Sequence, residues 1–183
     1  MSRSSWAISA SVGGAVGLVL SAAALPYDRT AWGRWTDVDR DCQNTRAELL
    51  IAASQAPVRL AASGCVVRGG QWVDHYTGAT HTNARTLDID HVVPLREAWA
   101  SGAAAWTRAD RIAFANAPDG LALTAAGVNR SKGAQDIGAW IPAVDVCGYL
   151  DRWRAIKRRY GLTYDAIEVD RVVALASRCE CVR

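Results

Sequence analysis

Asp88 to Leu95 reads Asp-Ile-Asp-His-Val-Val-Pro-Leu, two carboxylates and an imidazole at the end of an apolar, strand-like run that a proline closes. No other stretch constrains the chain so tightly. In a strand, side chains alternate faces, so Asp88 and Asp90 share one side while Leu87, Ile89 and His91 share the other. Asp90 and His91 can act together only where the strand ends or bulges. Val92, Val93 and Pro94 meet that need, because Pro donates nothing to a ladder and restricts the residue before it. Downstream, Leu121 to Thr124 reads as a short strand and Ala125 to Lys132 as a short helix bearing Asn129, Arg130 and Lys132. Two strands and a helix in this order can enclose one ion.

Asp90-His-Val-Val-Pro-Leu95 followed by Asn129-Arg-Ser-Lys-Gly133 resembles the HNH endonucleases with a ββα-metal core, most closely the secreted bacterial ones. The likeness continues through Glu97-Ala-Trp99, Ser101-Gly-Ala103, Phe114-Ala-Asn116, Trp140-Ile-Pro142 and the spacing of Cys147, Tyr149 and Lys157, covering most of the chain after the N-terminus. It implies an α+β fold: an HNH ββα-metal core embedded in a mostly helical single domain with a small N-terminal hairpin. It also implies an endonuclease that hydrolyses phosphodiester bonds of DNA, with RNA a second candidate substrate.

That chemistry needs a proton acceptor for the attacking water and positive charge where negative charge builds up. An imidazole with an ordinary pKa of about 6.5 suits the first need, and by resemblance His91 fills it. Asp90 and Asn129 would hold one divalent cation, Mg2+ first, with Mn2+ or Ca2+ as alternatives, because both offer hard oxygen donors. Lys132, Arg130 and Arg85 would hold flanking phosphates. Asp88 is a supporting residue that orients a ligand, binds the ion through water or caps the strand.

The chain departs from the family at Gly120, where the middle residue of the triad is commonly Asn or His, and at Ala134, where Asp is frequent. Asp119 or Asn116 is the expected stand-in for Gly120. A further departure is His75 in place of the usual Pro. These differences motivate two rival readings: a nucleic-acid-binding module that has lost catalysis, and a cell-envelope protein that binds metal only for stability.

Residues 1–24 read as a secretory signal, with Arg3 the only charge ahead of an uncharged Ala, Gly, Val and Leu run that ends in Ala22-Ala23-Ala24. The mature domain is then residues 25–183. An uncleaved anchor is the alternative, since the run approaches the ~20 residues that span a bilayer. Either way the expected location is secreted or cell-envelope. Five cysteines in an exported chain predict disulfides, with Cys42 paired to Cys65 and Cys147 to either Cys179 or Cys181. Cys179-Glu-Cys181 lacks the two-residue spacing of structural zinc pairs.

A net charge of +3 is too small to demand a polyanionic partner. Arg152, Arg154, Lys157, Arg158 and Arg159 do fall together on one helical stretch, as phosphate contacts or as a solvated face. No separate reading module is recognisable, so weak sequence preference is expected. A monomer with no obligate protein partner is the expectation.

Other local patterns complete the prediction. Thr45 and Glu48 have capping-box spacing ahead of a helix over about Arg46 to Ser54. Cys65-Val-Val67 and Gln71-Trp-Val73 flank Arg68-Gly-Gly70 as a hairpin, and Gly78 to Arg85 reads as a loop. Thr107 and Asp110 open a further helix. A long one runs from Val144 to Tyr160. The last, Tyr164 to Ser177, has Thr163 as its expected cap and Ile167, Val172, Leu175 and Cys179 as its inward stripe.

Overall fold

The computed structural model describes residues 26–180; the expected signal, residues 1–24, and Cys181 lie outside the described residues. Helix α1 spans Thr45–Ala52. Asn44 caps it by accepting from Ala47 N at 3.2 Å, in place of the expected Thr45. Thr45 instead turns its hydroxyl to Asn116 Oδ1, 2.8 Å away and 71 residues later in the chain.

Strands β1 (Arg59–Leu60), β2 (Val67–Val73) and β3 (Thr80–Asn83) form an antiparallel sheet in that order. The expected hairpin at Arg68-Gly69-Gly70 does not form, because both glycines lie inside β2. A Cβ on Gly69 would fall 2.7 Å from Arg59 Nη2, and one on Gly70 would fall 2.6 Å from Ser54 Oγ. Here glycine marks close approach by neighbouring groups, not a turn. The expected loop from Gly78 to Arg85 supplies β3 and a 3-10 turn, Ala84–Thr86, since pairing with β2 overrides its weak local pattern.

Asp74 governs the reversal between β2 and β3. Its buried carboxylate accepts from Tyr76 N at 2.7 Å and Thr77 N at 3.1 Å, and across the molecule from Thr124 Oγ1 at 3.0 Å and Ala125 N at 2.7 Å. Burial works to raise this carboxyl's pKa, but the hydrogen bonds outweigh it and hold the group below the ordinary range.

β4 (Leu87–His91) and β5 (Leu121–Ala125) make a separate antiparallel pair, in regular register from Leu87 opposite Ala125 to His91 opposite Leu121. Helices α2 (Leu95–Ala100) and α3 (Arg108–Asn116) lie between them in sequence, and α4 (Ala126–Lys132) follows β5 directly. Thr107 caps α3 as its spacing predicts. Helices α5 (Val146–Tyr160) and α6 (Ala166–Glu180) close the chain. Asp165, not Thr163, opens α6: Asp165 Oδ1 accepts from Glu168 N at 2.9 Å while the Glu168 carboxylate accepts from Asp165 N at 3.1 Å. Thr163 bonds Ser101 O instead. Ile167 is 68% exposed, so the inward stripe of α6 starts later, with Leu175 and Cys179 in the core.

The β4–β5 pair is shared by two apolar clusters in this mixed α+β fold. Leu87, Ile89, Leu121 and Leu123 pack with Leu50, Val67 and Trp72, whereas Ala122 belongs with Trp32, Phe114, Trp153 and Leu175. Disulfides Cys42–Cys65 and Cys147–Cys179 tie the edges; of the two expected partners for Cys147, the structure takes Cys179.

Candidate functional site

The alternation of β4 sends Asp88 and Asp90 toward α4, where Asn129 and Lys132 stand three residues apart on one helix face. Asn129 Nδ2 donates to Asp88 Oδ2 at 3.1 Å. A carboxylate only accepts, so this bond consumes the amide nitrogen and leaves the amide oxygen of Asn129 for another partner. Lys132 is completely buried, its Nζ 2.8 Å from Asp90 Oδ2 and 2.8 Å from His91 O. Tyr76 donates its hydroxyl to the same Asp90 Oδ2 at 2.6 Å. Burial, then the Asp90 charge, push the Tyr76 phenol far up, which keeps that proton in place. For Lys132, burial lowers the pKa and Asp90 works against the fall.

His91 closes the strand without a bulge. Its ring stacks on Trp35, with centroids 5.6 Å apart and planes 11° from parallel. Its Nε2 lies 2.9 Å from Ala115 O. A carbonyl only accepts, so Nε2 carries the hydrogen and Nδ1 keeps the lone pair. Burial lowers the imidazole pKa to about 4, opposed by Ala115 O and Asp90, and the ring is neutral at neutral pH.

Although Asp90 and His91 leave the strand on opposite faces, both line one cavity of about 400 Å3 at its end, together with Asn129, Trp35, Arg29 and Arg96. A neighbouring cavity of about 380 Å3 shares Arg29, Trp35 and His91. The oxygens with capacity left in the first cavity belong to Asp90 and Asn129, with Asp88 behind. The Asp90 carboxylate faces Lys132 on one side and the guanidinium groups of Arg29 and Arg96 on the cavity wall, so the lining as a whole is cationic around a few acceptor oxygens. This donor set fits a hard divalent cation.

Several sequence expectations resolve differently. Lys132, expected on phosphate, is buried against Asp90 and His91 and positions them. Asp119, one expected stand-in for Gly120, is exposed and pairs with Arg159. The other stand-in, Asn116, spends its oxygen on Thr36 N and Thr45 Oγ1 and its nitrogen on Arg34 O and Ile112 O. Gly120 is served by its backbone, since its carbonyl accepts from Val92 N at 2.9 Å and a Cβ there would meet no atom within 4 Å.

The cationic expectations also change. Arg130 is exposed on α4, and Arg85 lines a different cavity from His91. On α5, Arg152 bonds Leu121 O at 2.6 Å, Lys157 is buried against Glu97 and Glu168, and Arg159 is taken by Asp119, so the expected phosphate stripe is largely committed to structure. Arg46 bonds Ala84 O and Leu87 O, with the Asp88 charge also acting on it.

Trp35, Tyr76, Arg29, Arg96 and the Ala115 carbonyl are site groups that the motif does not reveal. Only Arg29, Trp32, Arg34 and Trp35 leave a trace in the sequence, as an aromatic and cationic run ahead of α1.

The chain is 36% identical over 158 residues to an uncharacterized secreted protein of Arthroderma benhamiae, across 84% of this chain and 76% of that one. No family model and no solved structure matches it. With two disulfides and this relative, the chain is a secreted or cell-envelope protein. No described helix is long and apolar enough to cross a membrane.

Proposed function

We propose, from the premise that the chain belongs to the same family as the secreted Arthroderma benhamiae protein, that it is an exported metal-dependent endonuclease. Its substrate is DNA, with RNA a second candidate. One observation carries the reading: Asp90, His91 and Asn129 line one cavity at the end of a strand–strand–helix unit, and His91 is held as the Nε2–H tautomer by Ala115 O. That unit is where the likeness to the HNH ββα-metal core resides.

In this reading His91 Nδ1 takes the proton from the attacking water. Trp35 and Ala115 fix the ring plane beforehand, so little ordering is left for the reaction itself. The low pKa of the free site favours the basic form but weakens the base; negative charge from an arriving phosphate raises it again. Lys132 and Tyr76 lock Asp90 through one oxygen and leave the other toward the cavity. Asp90 and Asn129 would hold the cation, which supplies positive charge where the leaving oxygen becomes negative. Arg29 and Arg96 are the guanidinium groups that line the cavity and would grip the phosphate.

Ala115 O favours an active enzyme over a binding module that has lost catalysis. Ring orientation, which Gly120 cannot supply, comes from a backbone carbonyl. Manganese titration tests the assignment of roles. Asp90→Ala is expected to lose Mn2+ affinity by about tenfold or more, as for loss of a first ligand or its support. His91→Ala is expected to keep that affinity and lose cleavage. Equal loss of Mn2+ binding in both variants would show that the roles are misassigned.

A further inference from the structure

A second cationic cavity lies away from His91. It holds about 530 Å3 at the three-stranded sheet and is lined by Arg59, Arg68 and Arg85 with Gln71, Thr82 and Asn83, among others, and by no acidic residue. All three arginines are exposed, and none has an ion-pair or hydrogen-bond partner for its guanidinium among the described residues. Exposed arginines alone would signify little, but here they share one groove, and one of them is laid across the sheet. Arg59 pairs with Gly69 across the β1–β2 ladder, and Gly69 pairs with Asn83 across β2–β3, so the three residues form a row over the sheet. The Arg59 guanidinium lies over Gly69, its Nη2 and Cζ 2.7 and 3.0 Å from where a Cβ would stand, so the glycine leaves room for the fork to rest on the sheet. Asn83 Oδ1 accepts from Arg85 N at 3.0 Å, which fixes the turn that carries Arg85.

We propose that this groove is a second, non-catalytic subsite for the phosphate backbone of a nucleic acid; the choice of that polymer rests on the nuclease reading. Three unpaired guanidinium forks with no carboxylate among them match phosphate oxygens in geometry and charge. Arg85 precedes β4 and His91 ends it. At ~3.4 Å per residue the strand spans about 14 Å, roughly four nucleotide steps along a duplex. The groove therefore holds substrate at a distance from the bond being cut, favours polymers over dinucleotides, and adds affinity without sequence information.

The test measures fluorescence anisotropy of a short labelled DNA duplex with full-length His91→Ala protein in EDTA, so that nothing is cut. The groove triple Arg59→Gln, Arg68→Gln, Arg85→Gln is compared with Arg154→Gln, Arg158→Gln, Arg178→Gln, an equal charge loss on α5 and α6. Each neutralised phosphate contributes about 0.9 to the slope of log affinity against log salt. The groove triple is expected to flatten that slope by about 2 to 3 and to lose about tenfold or more in affinity at about 100 mM salt. The α5–α6 triple is expected to stay within about twofold, as for charges that make no phosphate contact. Equal losses in both triples, or none in the groove triple, would overturn the proposal. So would a groove triple that loses heparin binding yet keeps DNA binding, which would assign the groove to sulfated polysaccharide. Failure of the wild-type protein to cut nucleic acid would remove the catalytic reading and leave this comparison intact, because it contains no cleavage step.

Discussion

Lys132 carries the main tension at the residue scale. A buried ammonium is costly unless paired, and here one cation serves Asp90 Oδ2 and the His91 carbonyl at once. Lys132→Met keeps the volume but strands the Asp90 charge, and should destabilise the metal-free protein by about 3 to 5 kcal/mol. Urea unfolding checks this, and Lys132→Met with Asp90→Asn should recover most of the loss. A single variant as stable as wild type would mean that Asp90 is not held by Lys132. The residues of the contiguous motif are legible in the sequence because their spacing alone sets them on one strand end and one helix face. Trp35 and Ala115 are not legible, since they reach His91 from positions 56 residues before and 24 residues after it, and a carbonyl leaves no mark on residue identity. The role of Lys132 is misread for a related reason: charge predicts exposure, and burial is decided by what Asp90 and Tyr76 bring to the same place.

Among the elements, the β2–β3 turn has the most consequence, because Asp74 fastens it to β5 and so sets Tyr76 over Asp90. Asp74→Asn puts a donor where acceptors are required and should cost about 2 to 3 kcal/mol at neutral pH. The pH dependence has a definite sign. Because the folded pKa of Asp74 lies below its unfolded value of about 3.9, its stabilisation is present above that value and is lost as pH falls through the lower folded value. The gap between wild type and Asp74→Asn should therefore narrow only below about pH 4 in thermal melts; a gap that closes nearer neutrality would point to another group. The existence of α1, α3, α4, α5 and α6 is legible from period and capping-type spacing, although the caps of α1 and α6 fall on Asn44 and Asp165 instead of Thr45 and Thr163. The strands of the first sheet are less so, because Gly69 and Gly70 imitate a turn and the polar 78–85 run lacks alternation until β2 pairs with it.

At the scale of the whole molecule, the site stands where the two apolar clusters meet, so anything that loosens the packing of α5 and α6 bears on the end of β4. Cys147–Cys179 closes 32 residues of chain. Chain entropy assigns such a loop about 3 to 4 kcal/mol, and the Cys147→Ser, Cys179→Ser protein should unfold that much more easily in urea. Tyr149 donates from α5 to Val92 O at 3.3 Å, one residue past His91, so activity should decline in that variant at urea concentrations where wild type is intact. The most direct measurement is cleavage of supercoiled plasmid by the exported, oxidised protein with Mg2+, with and without EDTA, beside His91→Ala. Cutting that requires both the cation and His91 is the predicted result. Folded protein that cuts with no divalent cation present, that cuts equally well without His91, or that does not cut at all would contradict a nuclease centred on Asp90, His91 and Asn129.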